Sequence, residues 1–162
     1  MKLDFGPRGI LMIDDARIVY RNFSGRGDKF NREGDRNFSV VIPTTEMADA
    51  LVAEGWNVKV KPPREEGDIP FMTLPVKIKF NERGPKVYLK TGHNQVTLDE
   101  ESVSILDNVD ILSVDMDIRP YDWEVQGKEG RTAYLQSIKV TQEVDRFAAR
   151  LAEEEFPSET PW

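Results

Sequence analysis

The alternation of apolar and charged residues is the feature that most constrains how this chain can fold. Three short segments, 56–61, 76–81 and 86–90, carry lysine at alternate positions between apolar residues. Successive side chains of a β-strand point to opposite faces, so this period of two predicts strands with one apolar and one basic face. The lysines concerned are Lys59, Lys61, Lys77, Lys79, Lys86 and Lys90. Because like charges on neighbouring strands repel, the pattern favours a surface that an anion covers.

The residues before the first lysine pair predict two strands and a helix. A long, unbroken strand is expected at 9–23, and a second strand at 37–43, which ends at a proline. A helix of roughly ten residues can begin after Thr44 or Thr45, whose hydroxyl would accept a hydrogen bond from its first turn. Gly55 suits the position that follows the last turn.

The second half of the chain predicts two hairpins, each formed by strands with a turn between them. The paired strands are expected at 76–81 with 86–90 and at 112–118 with 131–141. The acidic residues of 97–101 suit the positive end of a further short helix. The apolar spacing from Val144 onward predicts a C-terminal helix.

The order of these elements predicts a mainly β fold. Because long helices do not alternate with the strands, a doubly wound nucleotide-binding sheet is disfavoured. About seven strands joined by turns suit a small closed barrel, and the leading candidate is the oligonucleotide-binding barrel. We therefore expect an OB-fold-like barrel with inserted short helices and a C-terminal helix over residues 1–151. A disordered acidic tail is expected over 152–162.

The charge of the chain is distributed unevenly. The net charge is −7, yet residues 1–98 hold 16 Lys and Arg against 13 Asp and Glu, whereas residues 99–162 hold 6 against 16. Such an asymmetry suggests a part that binds an anion and an acidic tail. The alternative is an acidic surface that is simply solvated and has no partner.

A glycine-rich basic loop at 24–36 separates the first two predicted strands. Flexible glycines would let its arginines reach phosphates, and an exposed phenylalanine can stack on a base. An ordinary polar loop with Phe38 in the core is the alternative. The residues predicted to bind nucleic acid, from this loop, the lysine strands and other exposed positions, are Arg17, Arg21, Phe23, Arg26, Lys29, Phe30, Arg32, Arg36, Lys59, Lys61, Lys77, Lys79, Lys86, Tyr88, Lys90 and Trp123.

The C-terminal segment Ala152–Trp162 combines four acidic residues, no basic residue and two aromatic side chains. A segment of this composition has little to bury, which predicts disorder in the free protein. An aromatic anchor beside acidic groups is typical of a peptide that docks in a basic pocket. The residues predicted to contact a partner are Glu153, Glu154, Glu155, Phe156, Pro161 and Trp162. The alternative is that Trp162 folds back on the domain or lies at a frayed end.

Two parts of the sequence resemble one family. Lys29-Phe30 followed by 37–43 (NFSVVIP) resembles the loop and second strand of phage-type single-stranded-DNA-binding proteins. The tail is similar to the acidic tails of bacterial and phage members, with Trp162 where phenylalanine is more common. The resemblance implies an OB-fold, non-specific binding and protection of single-stranded DNA in replication and recombination, and a tail that recruits partner proteins. It also implies a phage or another mobile element as the source.

Composition narrows the remaining function classes. The chain has no cysteine and one histidine, His93, which disfavours disulfides, zinc sites and catalytic triads. No apolar run approaches the roughly 18 residues of a membrane span, and no signal peptide is recognisable. We therefore expect the protein to be located in the cytoplasm, which is that of the host cell if a phage encodes the chain. No cofactor, membrane contact or enzymatic activity is expected. A homo-oligomer is compatible with the sequence, which does not fix the oligomeric state.

Two rival functions come from the acidic residues. Asp14, Asp15, Asp115 and Asp117 could hold a magnesium ion in a metal-dependent nuclease or phosphatase. Alternatively, the acidic half could mimic nucleic acid in a protein that inhibits a host factor. Paired carboxylates at a period of two are equally the polar side of an amphipathic strand.

Overall fold

The computed structural model describes residues 1–144, which form one twisted sheet and a single α-helix. The elements in this part of the chain are β1 (Lys2–Phe5), β2 (Leu11–Ala16), β3 (Ile18–Asn22), β4 (Arg36–Ile42), α1 (Thr45–Ala53), β5 (Lys59–Lys61), β6 (Phe71–Ile78), β7 (Lys86–Thr91), β8 (Asn94–Leu98), β9 (Ile111–Val125) and β10 (Lys128–Gln142). Short 3-10 helices lie at Pro7–Gly9 and Val103–Asp107. The predicted C-terminal helix and acidic tail lie outside the described residues.

The strands form a closed barrel in the order β1-β2-β9-β10-β6-β4-β3. Only Arg17 separates β2 from β3, so the path from β2 through β9, β10, β6 and β4 returns at β3 to the same stretch of chain and closes the sheet, while β1 pairs with β2 outside this closed path. The β6–β10 pair is parallel and the other pairs along the path are antiparallel. This connectivity, with a loop between the first two barrel strands and a hairpin between the last two, confirms the predicted OB-fold-like barrel.

The predicted unbroken strand at 9–23 was wrong, because two bulges interrupt it. The register against β9 shifts between Ile13 and Ala16, where Asp15 has a φ of +53°. An extra residue in one strand reverses the inward and outward alternation that follows. As a result Ile13 and Ile18 both point into the core, although they are an odd number of positions apart. A period of two cannot reveal such a shift.

The predicted hairpin of 76–81 with 86–90 was also wrong. Instead, β6 and β7 both run parallel to β10 along one of its edges, with Lys77 opposite Tyr134 and Lys86 opposite Ser137. The antiparallel partner of β7 is β8, a strand that occupies part of the segment expected to begin a helix. The short helix after β8 begins only at Val103.

The helix α1 forms as expected. The Thr44 hydroxyl accepts a hydrogen bond from the backbone N–H of Met47 at 3.2 Å, and Gly55 follows the last turn with a φ of +96°. Ala48 and Leu51 are buried, so this helix packs one face against the barrel. None of the helices in the described residues has the length and apolar character needed to cross a lipid bilayer.

The core fills the barrel with the inward side chains of its strands. Phe23 and Phe38 are both buried and stack with their ring centroids 5.4 Å apart. The other large side chains that are fully buried include Leu11, Ile13, Leu51, Leu74, Leu106, Ile118 and Ile138. Since the apolar residues of β4, β6, β9 and β10 point inward, their intervening residues form the outer face of the barrel.

Candidate nucleic-acid interface

One row of polar and aromatic residues crosses five strands of the outer face. The hydrogen-bonding register places Asn22 of β3 opposite Asn37 of β4, Asn37 opposite Lys77 of β6, Lys77 opposite Tyr134 of β10, and Tyr134 opposite Arg119 of β9. Directly opposite residues point to the same side of a sheet, so these five side chains share one surface. We call this surface the cross-strand row.

The Tyr134 ring lies among cations at the centre of the cross-strand row. The guanidinium carbon of Arg119 is 5.2 Å from the ring centroid, and the Lys79 ammonium is 6.0 Å from it. The Tyr121 ring approaches edge-on, with its centroid 6.0 Å away and an interplanar angle of 84°. The Tyr134 side chain is half-buried, and cation–aromatic contacts that solvent can reach contribute about 0.5–1 kcal/mol each. The ring is therefore held beside two positive charges.

The loop 23–35 forms one wall of this surface. Phe30 in this loop is 95% exposed, and it lines the same depression as Asn31, Lys77 and Tyr134. Arg26, Lys29 and Arg32 of the loop are exposed to solvent. The loop thus adds an accessible ring and three cations beside the cross-strand row.

The base of this loop is fixed by Asp107, which lies 84 positions after Phe23 and shortly before β9. Its two carboxylate oxygens accept hydrogen bonds from the backbone N–H groups of Phe23 and Ser24, at 2.6 and 3.1 Å. The Arg21 guanidinium donates to the carbonyls of Leu106 and Val109 at 2.8 and 2.7 Å. These bonds tie the start of the loop to the segment before β9.

Three residues predicted to contact DNA have internal partners instead. Phe23 is fully buried against Phe38, so in this fold its ring cannot reach a base. Arg21 is occupied by the two carbonyls described above. The Arg36 guanidinium donates to the carbonyl of Phe23 at 2.9 Å and pairs with Glu100 at 3.1 Å. Local composition does not distinguish cations that form hydrogen bonds within the protein from cations that are free to bind a ligand.

The predicted lysine surface is divided into two. Lys59 and Lys61 lie opposite Thr73 and Phe71 on the outward side of β6, which also carries Lys77. The outward residues of β7 lie farther along β10 and therefore belong to a second surface. These residues are Lys86, Tyr88 and Lys90.

Acidic side chains partly neutralise the second surface. Tyr88 lies opposite Lys139, which in turn lies opposite Asp115 and forms an ion pair with it at 3.5 Å. Lys86 lies opposite Ser137, whose own partner on β9 is Asp117. A phosphate at this surface would therefore meet carboxylates as well as ammonium groups.

The two remaining predicted residues lie near acidic side chains. Arg17 is exposed and lines a depression together with Asp15, Asp110 and Glu143. Trp123 is 38% exposed at the far end of the β9–β10 hairpin, opposite Gly130. Its neighbours there include Asp122, Glu124 and Glu129.

Two of the four aspartates considered for the rival metal site have side-chain partners within the protein. Asp115 accepts a hydrogen bond from the backbone N–H of Asp15 at 2.9 Å and pairs with Lys139. Asp117 accepts a hydrogen bond from the Ser137 hydroxyl at 3.4 Å, and Asp14 lies opposite Lys2 of β1. Among residues 1–144, no three histidine or carboxylate side chains are grouped closely enough to hold a metal ion.

The sequence of the chain matches one family model over nearly its whole length. The model, described as "Putative phage ssDNA-binding domain", matches residues 5–160. The chain belongs to this family. The resemblance to phage single-stranded-DNA-binding proteins is thereby confirmed. No curated protein matches the chain.

Solved structures of the single-stranded DNA-binding protein from bacteriophage Enc34 have a similar fold. The structure of that protein in complex with ssDNA has a TM-score of 0.56 and 13% identity, and the match covers 90% of this chain and 93% of that one. Its C-terminally truncated form has a TM-score of 0.54 and 12% identity, with 86% and 88% covered. At such low sequence identity, these comparisons show a shared fold alone.

Several residues of the surface were not predicted from the sequence, namely Asn22, Asn37, Arg119, Tyr121 and Tyr134. Arg119 and Tyr121 are two positions apart, so the period of two could have placed them on one face. Their position beside Tyr134, and that of Tyr134 beside Lys77, depend on which strands pair. That pairing joins residues far apart in the chain and leaves no local signal.

Proposed function

We propose that this chain binds single-stranded DNA, with weak sequence preference and without catalysing a reaction, on the outer face of β4, β6, β9 and β10. The observation that carries the proposal is the cross-strand row, in which the half-buried Tyr134 ring lies between Lys77 and Arg119, with Lys79 beside it. Membership of the phage ssDNA-binding family and the fold shared with a protein solved in complex with ssDNA support it.

The chemistry of the surface suits a flexible polyanion. Ammonium and guanidinium groups would neutralise phosphates, while Tyr134 and Phe30 would stack on bases for about 1–3 kcal/mol each. Stacking accepts every base because every base has a flat face, so little sequence preference is expected. Each neutralised phosphate should contribute about −0.7 to the slope of log affinity against log salt. The position of the row between the loop 23–35 and the β9–β10 hairpin agrees with the face that OB-folds use.

Fluorescence anisotropy with a labelled dT20 oligonucleotide across a salt series tests the proposal. Lys77→Glu/Lys79→Glu should weaken binding strongly, since it reverses two charges beside Tyr134. The matched control is Lys86→Glu/Lys90→Glu, which changes the net charge equally on the second lysine surface and should weaken binding less. Absence of binding by the wild type, or equal losses in both double variants, would contradict the assignment of the surface.

We further propose that residues 1–151 form the DNA-binding domain and that 152–162 recruit replication or recombination proteins in the cytoplasm of a phage host. The support is compositional, since the tail joins four acidic residues to Phe156 and Trp162. Deletion of 152–162 should abolish capture of partner proteins while dT20 binding persists. If capture survives this deletion and the full chain binds no oligonucleotide, an acidic inhibitor of a host factor becomes the better explanation.

A further inference from the structure

Tyr20 has a backbone conformation that its residue type disfavours. It lies in β3, at the second of the two bulges in segment 9–23, where the register against β4 shifts between Val19 and Asn22. Its φ is +55°. Glycine and asparagine adopt this left-handed region readily, whereas a bulky side chain there is strained. Bulges often turn a side chain toward a functional surface, and strain persists where the surrounding structure enforces it. The strain at Tyr20 therefore calls for a functional explanation.

The bulge directs the Tyr20 ring away from the core. The side chain is 67% exposed, so its ring is accessible to a ligand. Its ring meets that of Phe71 edge-on, with centroids 6.5 Å apart and an interplanar angle of 84°. Phe71 is itself 38% exposed and lies opposite Lys61 of β5. Two accessible rings thus meet, and a lysine lies opposite one of them.

This place is continuous with the cross-strand row. Tyr20 lines a depression with Phe30, Asn31 and Asn37, and these last three residues also line the depression that contains Tyr134. Three interstrand steps separate Asn22, at the β3 end of the row, from Tyr134, a span of roughly 14 Å. Tyr20 lies two residues before Asn22 in β3. Since stacked bases rise by about 3.4 Å each, a short oligonucleotide can reach both places.

We propose that Tyr20 and Phe71 form a second base-stacking platform, with Lys61 beside it for a phosphate, at the β3 end of the DNA-binding surface. The inference rests on the proposed function and extends it. A DNA strand would cross the sheet from Tyr134 past Asn37 to Tyr20. The left-handed backbone at Tyr20 is the conformational cost of presenting that ring.

The test exploits the strain at Tyr20. Tyr20→Asn places a residue that tolerates a positive φ at the bulge and removes the ring, whereas Tyr20→Phe keeps the ring. We expect Tyr20→Asn to bind labelled dT20 roughly tenfold more weakly, with a thermal midpoint equal to or above that of the wild type. Tyr20→Phe should bind like the wild type. Phe71→Leu, which keeps apolar volume but loses the ring, should weaken binding to a similar degree.

The outcomes separate this inference from the proposed function. If Lys77→Glu/Lys79→Glu loses binding while Tyr20→Asn and Phe71→Leu bind dT20 like the wild type, the second platform is refuted and the proposed function stands. If Tyr20→Asn loses binding only together with a lower thermal midpoint, and Phe71→Leu binds normally, Tyr20 has a structural role and the inference fails. If the wild type does not bind dT20, both are overturned.

Discussion

Arg131 donates hydrogen bonds to both carboxylate oxygens of Asp122, at 2.6 and 3.1 Å, and joins the two strands of the β9–β10 hairpin. The same guanidinium donates to the carbonyl of Glu54 at 2.6 Å and lies 5.0 Å from the ring centroid of Trp56. One side chain therefore fixes the hairpin, near its turn, against the C-terminal end of α1. This end of an α-helix carries partial negative charge, which favours a cation there.

Arg131→Ala should lower the free energy of unfolding by about 1–3 kcal/mol, because it removes a charged hydrogen bond to a carbonyl and a cation–aromatic contact. Urea denaturation at neutral pH measures the change. Lys128→Ala, at an exposed position beside the hairpin turn, is the control and should change stability little. Equal stability of the two variants would show that the hairpin does not depend on Arg131.

The Arg131 guanidinium, chiefly through its hydrogen bonds, holds the pKa of Asp122 below its ordinary value. Arg131→Gln should raise this pKa toward the ordinary carboxyl value, as followed by NMR titration of the carboxyl carbon. Because the folded pKa is the lower one, the ion pair stabilises the fold above about pH 4 and this contribution is lost as the pH falls through the folded pKa. The Asp122 side chain is 64% exposed, so the effect on stability is small.

Asp107→Ala should free the start of the loop 23–35. The carboxylate accepts two backbone hydrogen bonds in a partly buried site, and their loss should cost about 1–3 kcal/mol. Hydrogen exchange of the Phe23 and Ser24 amides should accelerate. Asp110→Ala, which removes an exposed carboxylate from the same segment, provides the control. Unchanged exchange in Asp107→Ala would show that other contacts position the loop.

Lys77→Ala should reduce the salt dependence of dT20 binding. If Lys77 neutralises one phosphate, the slope of log affinity against log salt should fall in magnitude by about 0.7. Anisotropy at several salt concentrations gives both slopes. Lys86→Ala removes the same charge from the second lysine surface and should leave the slope nearer to that of the wild type. A slope identical to the wild type in Lys77→Ala would place DNA elsewhere.

Gly130→Ala should displace the Trp123 indole, because a methyl group at position 130 would overlap this ring. The displaced indole should become more exposed and its fluorescence emission should shift to longer wavelength. Trp123→Phe identifies the part of the spectrum that Trp123 contributes. Thr132→Ala, at the next outward position on β10, is the control. An unchanged spectrum in Gly130→Ala would mean that the hairpin absorbs the methyl group without moving the ring.

The local rules of strand and helix formation predicted much of the barrel. The alternation in β4 and over residues 114–118 of β9 identified the inward faces of these strands correctly, and the capping residues Thr44 and Gly55 bounded α1. These features depend on residues a few positions apart, which is the range over which a sequence pattern carries direct information. The overall barrel followed from their number and order.

The errors arose where the structure depends on distant contacts. A bulge at Asp15 reversed the inward and outward faces of the first strand, and a second register shift follows Leu135 in β10. Both β6 and β7 pair with β10, and the paired residues lie about fifty positions apart in the chain. The two strands therefore do not form the hairpin that their closeness in the sequence suggested. No local pattern distinguishes these arrangements.

For the candidate site, the sequence indicated the chemistry better than the positions. From charge alone, the sequence assigned the same role to Arg36 and Lys77. In the structure, Arg36 donates a hydrogen bond to a backbone carbonyl, whereas Lys77 faces solvent. Counting rings selected Phe23, which is buried, and passed over Tyr134. The difference lies in tertiary packing, which decides whether a polar or aromatic group finds its partner within the protein.

The contacts of Tyr134 with Arg119 and Lys79 have a consequence for how tightly the protein would coat a strand. Each cation already has a favourable neighbour before any ligand arrives, so an incoming nucleotide would replace existing attractions as well as add new ones. Such an exchange lowers the net gain per nucleotide and leaves the surface intact when the strand departs. A strand held in this way would dissociate more readily than one bound by cations without such neighbours.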